Sequence, residues 1–187
     1  ICVATSIRDI DDPIVEFCKN NDVPVFRGSG DNVAERFLEC MNFNDWDAAL
    51  RVNGDSPLHN IELLSEAVRI YSPDKMDIVT NVFPRSYPIG MSVELISQSA
   101  SQKAHDKMKK ASNFEHVTQY FYENAKDFNL QLLPRNKIDH SDIRLVVDTK
   151  SDFERFKWLI NMLGQEYLRT KYKNLIDLYL SYEKQQS

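Results

Sequence analysis

Short apolar runs of strand length alternate with segments of helical periodicity along the first part of the chain. The apolar runs cover residues 1–5, 23–26, 48–52 and 77–80, and apolar residues lie three and four positions apart in the segments between them. Parallel strands must be joined by a crossover, and a helix is the usual one. The alternation therefore predicts an α/β fold with a mainly parallel sheet and flanking helices.

The regular alternation stops near residue 86. The elements predicted beyond it are strands over 91–96, 128–133 and 143–147 and helices over 98–110, 114–122, 152–163 and 167–183. A chain of 187 residues has the length of one domain. We therefore expect one α/β domain over residues 1–163, with an insertion at about 86–133, and a C-terminal helical extension over 164–187.

Composition limits the class of protein. Apolar residues make up 42% of the chain and charged residues 27%, as in ordinary globular proteins. The net charge is −5 and no run of Lys or Arg supplies a basic face, so we expect no nucleic-acid partner. No uncharged apolar stretch approaches the roughly 18 residues that a transmembrane helix needs, so no membrane association is expected.

The cysteines and the first residue add two expectations. Cys2, Cys18 and Cys40 are an odd number without Cys-x-x-Cys spacing, which argues against a disulfide framework and a zinc site. Cys18 and Cys40 are predicted to be buried thiols, and with no secretory signal visible the predicted compartment is the cytoplasm. Because Ile1 opens in a strand pattern without Met, we expect N-terminal residues to be missing.

Polar residues follow four predicted strands at the points where the strands end. The strand exits are Thr5-Ser6, Arg27-Gly28-Ser29, Asn53-Gly54-Asp55 and Asp148-Thr149. Ligands of open α/β sheets bind beyond the carboxyl ends of the strands. We therefore expect the four exits to face one crevice.

Two of these exits carry a carboxylate. Asp55 follows the turn residue Gly54, and Asp148 follows the strand predicted over 143–147. Two carboxylates without a fixed cage suit Mg²⁺, which keeps water ligands and completes its octahedron with substrate phosphates. Asp55 and Asp148 are therefore candidate metal ligands. The alternatives are that Asp148 caps the next helix and that Asp55 only forms a turn, which Gly54 would allow to be sharp.

The glycine-rich segment 27–32 opens a helix, for which Asp31 is the predicted N-cap. Its N–H groups could bind an anion or a base, but a plain turn accounts for the same pattern. His116 lies on the predicted aromatic helix, where it either packs or contacts a ligand. The other histidines are predicted to lie at the surface: His59, His105 and His140.

Seven groups of motifs occur along the chain in one order. They are VATS and DDPI (3–6, 11–14), VPVFRGS (23–29), RVNGDSPL (51–58), Asn81 with PRSYPIG (84–90), VE (93–94), EHVT (115–118), and VDT with DFE (147–149, 152–154). In this order they resemble the spore-coat-polysaccharide cytidylyltransferase family (SpsF-like), relatives of the CMP-sialic acid and CMP-Kdo synthetases. The resemblance covers residues 1–163.

The resemblance implies a nucleotide-diphospho-sugar transferase (GT-A-like) fold that uses CTP and Mg²⁺ to activate an acidic sugar. It implies that Asp55 and Asp148 are catalytic and hold the metal on the nucleotide phosphates. The residues that would border the nucleotide are Thr5, Ser6, Arg27, Gly28, Ser29, Asn32 and Gly54. Those that would lie towards the sugar are Arg85, Tyr87, Gly90, Glu94 and His116.

The chain departs from the family pattern in three places. The N-terminal strand and the phosphate loop rich in Arg, Ser, Gly and Lys would lie before Ile1. We therefore expect the parent protein to be an enzyme and this polypeptide alone to be inactive. Ser92 stands where relatives commonly have Asp, and the helix from Tyr167 onward lies outside the resemblance.

Two other functions remain open on the sequence. One is a non-catalytic binding or assembly module of the same fold. The other is a nucleotide-sugar-dependent glycosyltransferase, against which no Asp-x-Asp motif lies at a strand end, since Asp9, Asp11 and Asp12 precede a helix as caps.

The segment 86–133 is rich in aromatic residues and Met, which are enriched in interface cores. They are Tyr87, Met91, Phe114, Tyr120, Phe121 and Tyr122. The related synthetases form two-fold dimers through a comparable insertion, so a homodimer is expected. The alternative is that these residues pack the insertion onto its own sheet.

Overall fold

The structure is a computed structural model that describes residues 1–165 and 167–186. Its strands are β1 (Val3–Ser6), β2 (Val25–Gly28), β3 (Ala48–Arg51), β4 (Ile78–Thr80), β5 (Glu94–Ser97) and β6 (Leu130–Leu132). Its helices are α1 (Asp12–Asn20), α2 (Val33–Phe43), α3 (Ile61–Ile70), α4 (Gln98–His105), α5 (Ala111–Glu115), α6 (Gln119–Glu123), α7 (Lys150–Leu163) and α8 (Tyr172–Gln186). Short 3₁₀ turns cover Asp9–Asp11, Ala125–Asp127 and Tyr167–Arg169.

The strands form a parallel pair and a four-stranded sheet. β1 pairs with β2 in parallel, with Val3 opposite Val25. The four-stranded sheet has the order β3-β5-β4-β6. At one end of the β4–β5 pair, the amide of Ser97 donates to the carbonyl of Asp77, and at the other end Asn81 donates to Val93. Since one residue number rises as the other falls, β5 runs antiparallel to β4.

β6 runs parallel to β4. The amide of Asp77 donates to the carbonyl of Asn129 at 2.9 Å, and further along the amide of Leu133 donates to Thr80 at 2.8 Å. The predicted α/β class is therefore confirmed, with a sheet that is mixed because β5 runs against its β4 neighbour.

The strand predicted over 143–147 is wrong. Its amides are divided between two partners, because Leu145 donates to the carbonyl of Ile89 and Val147 donates to that of Asp55. A ladder needs one continuous partner strand, so only a single bridge forms, between Ile89 and Arg144.

Two predicted helices are shorter than the pattern indicates. The helix predicted over 98–110 ends as α4 at His105, and the aromatic helix predicted over 114–122 is two short helices, α5 and α6. His116 leaves the helical region, with φ −102° and ψ 87°, and so ends α5. The N-cap of α2 is Asn32, whose side chain accepts the amide of Glu35, and not the predicted Asp31.

The chain divides into two compact units with separate cores. The first unit comprises residues 1–49, 72–78 and 96–131. Its buried cluster is Ala34, Ile78, Ile96, Ala100, Ala104, Met108, Val117, Phe121 and Phe128. Phe114, Tyr120 and Tyr122 pack against this cluster, so these aromatic residues contribute to the core of their own unit.

The second unit comprises residues 50–71, 79–95 and 132 onward. Its buried cluster is Leu58, Met91, Ile143, Leu145, Leu159, Leu175, Ile176 and Tyr179. The last three of these lie on α8, so the C-terminal helix is part of this core.

Cys18 and Cys40 are buried free thiols, as predicted, and Cys2 is partly buried. Among the helices of the described residues, none combines the length and the apolar character needed to cross a membrane.

Candidate active site

The two candidate metal ligands lie on neighbouring stretches of backbone in the second unit. The amide of Val147 donates a hydrogen bond of 2.8 Å to the carbonyl of Asp55, and Asp148 is the next residue. Asp55 stands in a turn closed by a bond from the amide of Ser56 to the carbonyl of Asn53. Its carboxylate is exposed and accepts the hydroxyl of Ser56 at 2.8 Å. The structure therefore brings the backbone at Asp55 next to the residue that precedes Asp148.

Asp148 does not cap the helix that follows it. The N-cap of α7 is Thr149, which forms a capping box with Asp152 through reciprocal side-chain bonds. The carboxylate of Asp148 is exposed and pairs with Arg144 at 2.8 Å. A surface ion pair of this kind contributes little stability, so the carboxylate can exchange Arg144 for a cation at small cost.

Gly54 and Gly90, the two candidate glycines of the second unit, have different structural roles. Gly54 has no positive φ, and a side-chain methyl group there would meet nothing within 4 Å. The turn at Gly54 therefore does not require glycine. Gly90 has φ +99°, and a Cβ there would lie 2.8 Å from the backbone of Leu145. Conformation and packing both require glycine at position 90.

His59 is a half-buried neighbour of Asp55 whose two ring nitrogens are buried, and it is not the surface residue predicted. Neither ring nitrogen has a hydrogen-bond partner among the described residues. Burial lowers the pKa of His59 below its ordinary value, and the charge of Asp55 only partly opposes this effect. The ring of His59 is therefore harder to protonate than that of an ordinary histidine.

The donor set fits Mg²⁺ better than zinc. Across residues 1–165 and 167–186, no group of three or more His, Cys, Asp or Glu side chains is placed to hold a metal ion. Zinc is usually held by three or four protein ligands. Magnesium is commonly held by one or two carboxylates together with waters and substrate phosphates, which matches the two exposed carboxylates.

The exit of β1 in the first unit is built around Asp11. Thr5 and Ser6 are buried, and the carboxylate of Asp11 accepts the Thr5 hydroxyl at 2.9 Å and the Ser6 amide at 3.0 Å. Hydrogen bonds from Ser6 and Thr5 lower the pKa of Asp11. Asp11 makes no capping bond at the start of α1, so the prediction of a cap is wrong for this residue.

The guanidinium of Arg27 contacts the end of β1 and the chain that follows it through all three of its nitrogens. Its Nε donates to the carbonyl of Ser6 at 2.9 Å and its Nη2 to that of Arg8 at 3.0 Å. Its Nη1 pairs with Asp12 at 2.7 Å. Arg27 therefore fixes the loop after β1, and any contact of its side chain with a nucleotide stays a prediction.

The rest of the glycine-rich segment is tied down by side chains. The hydroxyl of Ser29 accepts the amide of Asn32, and Nδ2 of Asn32 lies 3.3 Å from Nε2 of His105. A Cβ on Gly28 would lie 2.9 Å from the stem of Arg36, so close packing favours glycine there. His105 is thus half-buried and paired rather than a free surface residue.

Three predicted sugar residues in the second unit have internal partners. Arg85 donates to the Ser92 hydroxyl at 3.0 Å, so the residue that departs from the family pattern still accepts from this arginine. Glu94 is buried and pairs with Arg51 at 2.9 Å. Tyr87 donates to the carbonyl of Pro134 at 3.3 Å. Each is held in one orientation by the chain itself.

His116 lies in the first unit, apart in sequence and unit from the other predicted sugar residues. Its side chain is exposed, which excludes the packed histidine that was the alternative. The candidate residues therefore fall into two sets. The first unit holds Thr5, Ser6, Arg27, Gly28, Ser29, Asn32 and His116, and the second holds Gly54, Asp55, Arg85, Tyr87, Gly90, Glu94 and Asp148.

Nearly the whole chain matches one known protein family. A family model described as cytidylyltransferase matches residues 1–184. The chain belongs to the cytidylyltransferase family. The family resemblance is thereby confirmed, and the match runs beyond residue 163 into the C-terminal helix of this cytidylyltransferase chain.

Two curated relatives and one solved structure resemble this cytidylyltransferase chain. An uncharacterized protein of Methanocaldococcus jannaschii is 36% identical over 157 residues, which are 83% of this chain and 63% of that protein. The spore coat polysaccharide biosynthesis protein SpsF of Bacillus subtilis is 27% identical over 172 residues, 88% of this chain and 68% of that protein. A cytidylyltransferase structure from Leptospira borgpetersenii superposes with a TM-score of 0.89 at 29% identity, covering 98% of this chain and 76% of that one. The chain thus spans less than two thirds of the archaeal relative.

Sequence reasoning missed several residues that shape the site of this cytidylyltransferase chain. Arg144 stands four residues before Asp148, a spacing that could have suggested a pair. Arg51 lies 43 positions from Glu94, and no local signal announces that ion pair. Asn81 belongs to one of the sequence motifs, which assign it no role. It is buried and bridges the carbonyl of Met91 and the amide of Val93.

Proposed function

We propose that the natural protein containing this chain transfers the cytidylyl group of CTP to an acidic sugar in the cytoplasm. A sugar hydroxyl would attack the α-phosphorus in line, and pyrophosphate would leave, giving a CMP-sugar. The observation that supports this proposal is the bond from the amide of Val147 to the carbonyl of Asp55, which joins the backbone segments that carry two exposed carboxylates in a chain of this family.

Asp55 and Asp148 would hold Mg²⁺. Bound there, the ion would neutralise charge on the nucleotide phosphates. The Ser56 hydroxyl orients the carboxylate of Asp55, and Arg144 orients that of Asp148. Release of Arg144 from Asp148 would leave a cation beside the phosphates.

Most of the residues proposed to face the nucleotide lie at strand ends or on loops that other side chains hold in place. Asp11 and Arg27 fix the loop after β1 from two sides, so Thr5 and Ser6 take part through a backbone held in place. Ser29 and Asn32 close the glycine-rich segment on itself. Such preorganisation is what positioning a triphosphate requires.

The residues proposed to face the sugar are Arg85, Tyr87, Gly90, Glu94 and His116. The relative SpsF carries polysaccharide biosynthesis in its name, which supports surface glycan assembly as the purpose of the product. An acidic sugar suits a pocket that includes Arg85, because its planar guanidinium binds carboxylates well.

The decisive assay is pyrophosphate release by the natural full-length protein with Mg²⁺. CTP, UTP, ATP and GTP are each paired with acidic sugars, with neutral sugars and with sugar 1-phosphates. We expect release only with CTP and an acidic sugar, and a CMP-sugar by mass spectrometry. A CDP-sugar made from a sugar 1-phosphate would contradict the acceptor, and no release from any pair would favour a binding module.

The homodimer is proposed with the same function. Tyr120 and Tyr122 pack against the core of their own unit, so these aromatic residues do not by themselves indicate an interface. The dimer is therefore proposed from the family resemblance. Light scattering of the natural protein over a dilution series tests it. A monomer at tens of micromolar would overturn the dimer.

A further inference from the structure

The hydroxyl of Tyr172, at the start of α8, is the meeting point of two side chains. Nδ2 of Asn136 donates to it at 3.0 Å, and Nδ1 of His140 lies 2.6 Å away. Since the oxygen accepts from Asn136, its hydrogen is available for His140, whose neutral ring can accept at Nδ1. Burial raises the pKa of Tyr172, which keeps this hydrogen in place.

The two partners of Tyr172 in turn hold Ser86. The amide of Asn136 donates to the Ser86 hydroxyl at 2.9 Å, and the amide of His140 donates to the Ser86 carbonyl at 3.1 Å. Ser86 is 1% exposed, so water does not compete for these bonds. The segment 134–140 therefore clamps Ser86 on its side chain and on its backbone.

The next residue, Tyr87, closes the set of contacts on Tyr172 itself. The two rings meet edge to face with centroids 5.4 Å apart. The Tyr87 hydroxyl donates to the carbonyl of Pro134, so its ring is held at both ends. All these residues belong to the second unit.

Tyr172 projects from an element that is itself anchored. Leu175, Ile176 and Tyr179 of α8 are buried in the core of the second unit. A side chain carried by a packed helix holds its neighbours more accurately than one on a loop. The helix thus transmits its fixed position to the loop 85–90.

We propose that Tyr172 is a positioning residue that sets the loop 85–90 for the sugar, so that the C-terminal helix is part of the substrate-binding apparatus. The proposal rests on the proposed function for the identity of the ligand, an acidic sugar. It assigns Tyr172, at the start of α8, a role in sugar binding and none in binding CTP.

The test compares two changes of the same kind on one helix, Tyr172→Phe and Tyr182→Phe, in the natural full-length protein. Tyr182 packs on Trp158 at 5.2 Å and its hydroxyl has no hydrogen bond to another described residue. The readouts are hydrogen exchange of the amides in 84–91 and 134–140, and KM for each substrate. Tyr172→Ala removes the ring as well and is measured if it folds.

We expect Tyr172→Phe to speed exchange in both segments and to raise KM for the sugar about 3- to 10-fold, the worth of one or two hydrogen bonds. KM for CTP should stay unchanged, and Tyr182→Phe should alter neither readout. Unchanged exchange, or an equal rise of both KM values, would overturn the proposal. If the wild-type protein transfers no cytidylyl group, the proposed function fails, while hydrogen exchange still decides whether Tyr172 positions the loop.

Discussion

The amide of Val147 donates a hydrogen bond of 2.8 Å to the carbonyl of Asp55. This bond joins the turn after β3 to the residue that precedes Asp148. Because the two chain segments meet there, carboxylates that are far apart in sequence leave adjacent backbone. Both carboxylates are exposed. A bound cation could leave the Ser56 hydroxyl on Asp55 in place, and it could replace Arg144 as the partner of Asp148.

Replacing either carboxylate should remove activity and leave the fold intact. Asp55→Asn keeps an oxygen for the Ser56 hydroxyl, and Asp148→Asn loses only a surface ion pair. We expect kcat/KM to fall about a hundredfold or more in each, because metal-based charge stabilisation contributes several kcal/mol. Thermal unfolding should not change. Asp142→Asn, an exposed carboxylate of the same unit, is the matched control. Full activity of Asp148→Asn would contradict its role.

Gly54 and Gly90 should respond differently to an added methyl group. In Gly90→Ala, the alanine must adopt a positive φ and its Cβ meets the Leu145 backbone. We therefore expect the free energy of unfolding in urea to fall by more than about 1 kcal/mol. Gly54→Ala has room and an ordinary φ, so stability should be unchanged or slightly higher. If the nucleotide approaches the backbone at Gly54, KM for CTP should rise in this variant. An unchanged KM would assign Gly54 no part in nucleotide binding.

The buried pair of Arg51 and Glu94 should be costly to break from one side. Their side chains are 21% and 5% exposed, so Arg51→Met leaves a buried carboxylate without this partner. We expect the free energy of unfolding in urea to fall by about 1.5–3 kcal/mol, the cost of one charge-assisted hydrogen bond. The double variant Arg51→Met/Glu94→Gln should recover part of that loss. Equal losses in the single and double variants would mean that the pair does not couple.

Asp11 should make the first unit sensitive to acid. Its pKa is below the ordinary value of 3.8 in the folded chain, because the carboxylate accepts hydrogen bonds from Ser6 and Thr5. A pKa that is lowered in the folded state adds stability at pH values above the pKa of the unfolded state. This stabilisation is lost as the pH falls through the pKa of the folded state. Asp11→Asn should therefore flatten the fall of the unfolding midpoint below about pH 4. Asp9→Asn is the control, and an equal effect there would contradict the role of Asp11.

The strand exits are within reach of sequence reasoning because their signals are local. At both Asp55 and Asp148, a predicted strand is followed within a few residues by Asp, so the sequence pattern alone indicates both candidate ligands, although residues 143–147 do not form the predicted strand. Which residue caps α7 is not visible in the pattern, because Asp148 and Thr149 can both cap a helix. The reciprocal bonds of Thr149 and Asp152 decide it, since they satisfy two orphan amides at once.

The remaining differences come from contacts distant in sequence. Apolar spacing of three and four continues from α5 into α6, so it could not reveal the break at His116. Residues 143–147 have the composition of a strand. Only the fold shows that their amides donate to two different segments, at the carbonyls of Ile89 and Asp55. The contact of Tyr172 with Tyr87 spans 85 positions and leaves no trace in any local pattern.

The most direct test of the account is the position of the metal. Crystals of the natural full-length protein grown with CTP and Mn²⁺, in place of Mg²⁺, give an anomalous signal from the ion. We expect one peak between Asp55 and Asp148, about 2–2.5 Å from an oxygen of each or one water further away. The peak should disappear in Asp55→Asn. A nucleotide-bound peak more than about 12 Å from either carboxylate would contradict a metal site at Asp55 and Asp148, since neither side chain could then reach the ion even through a water.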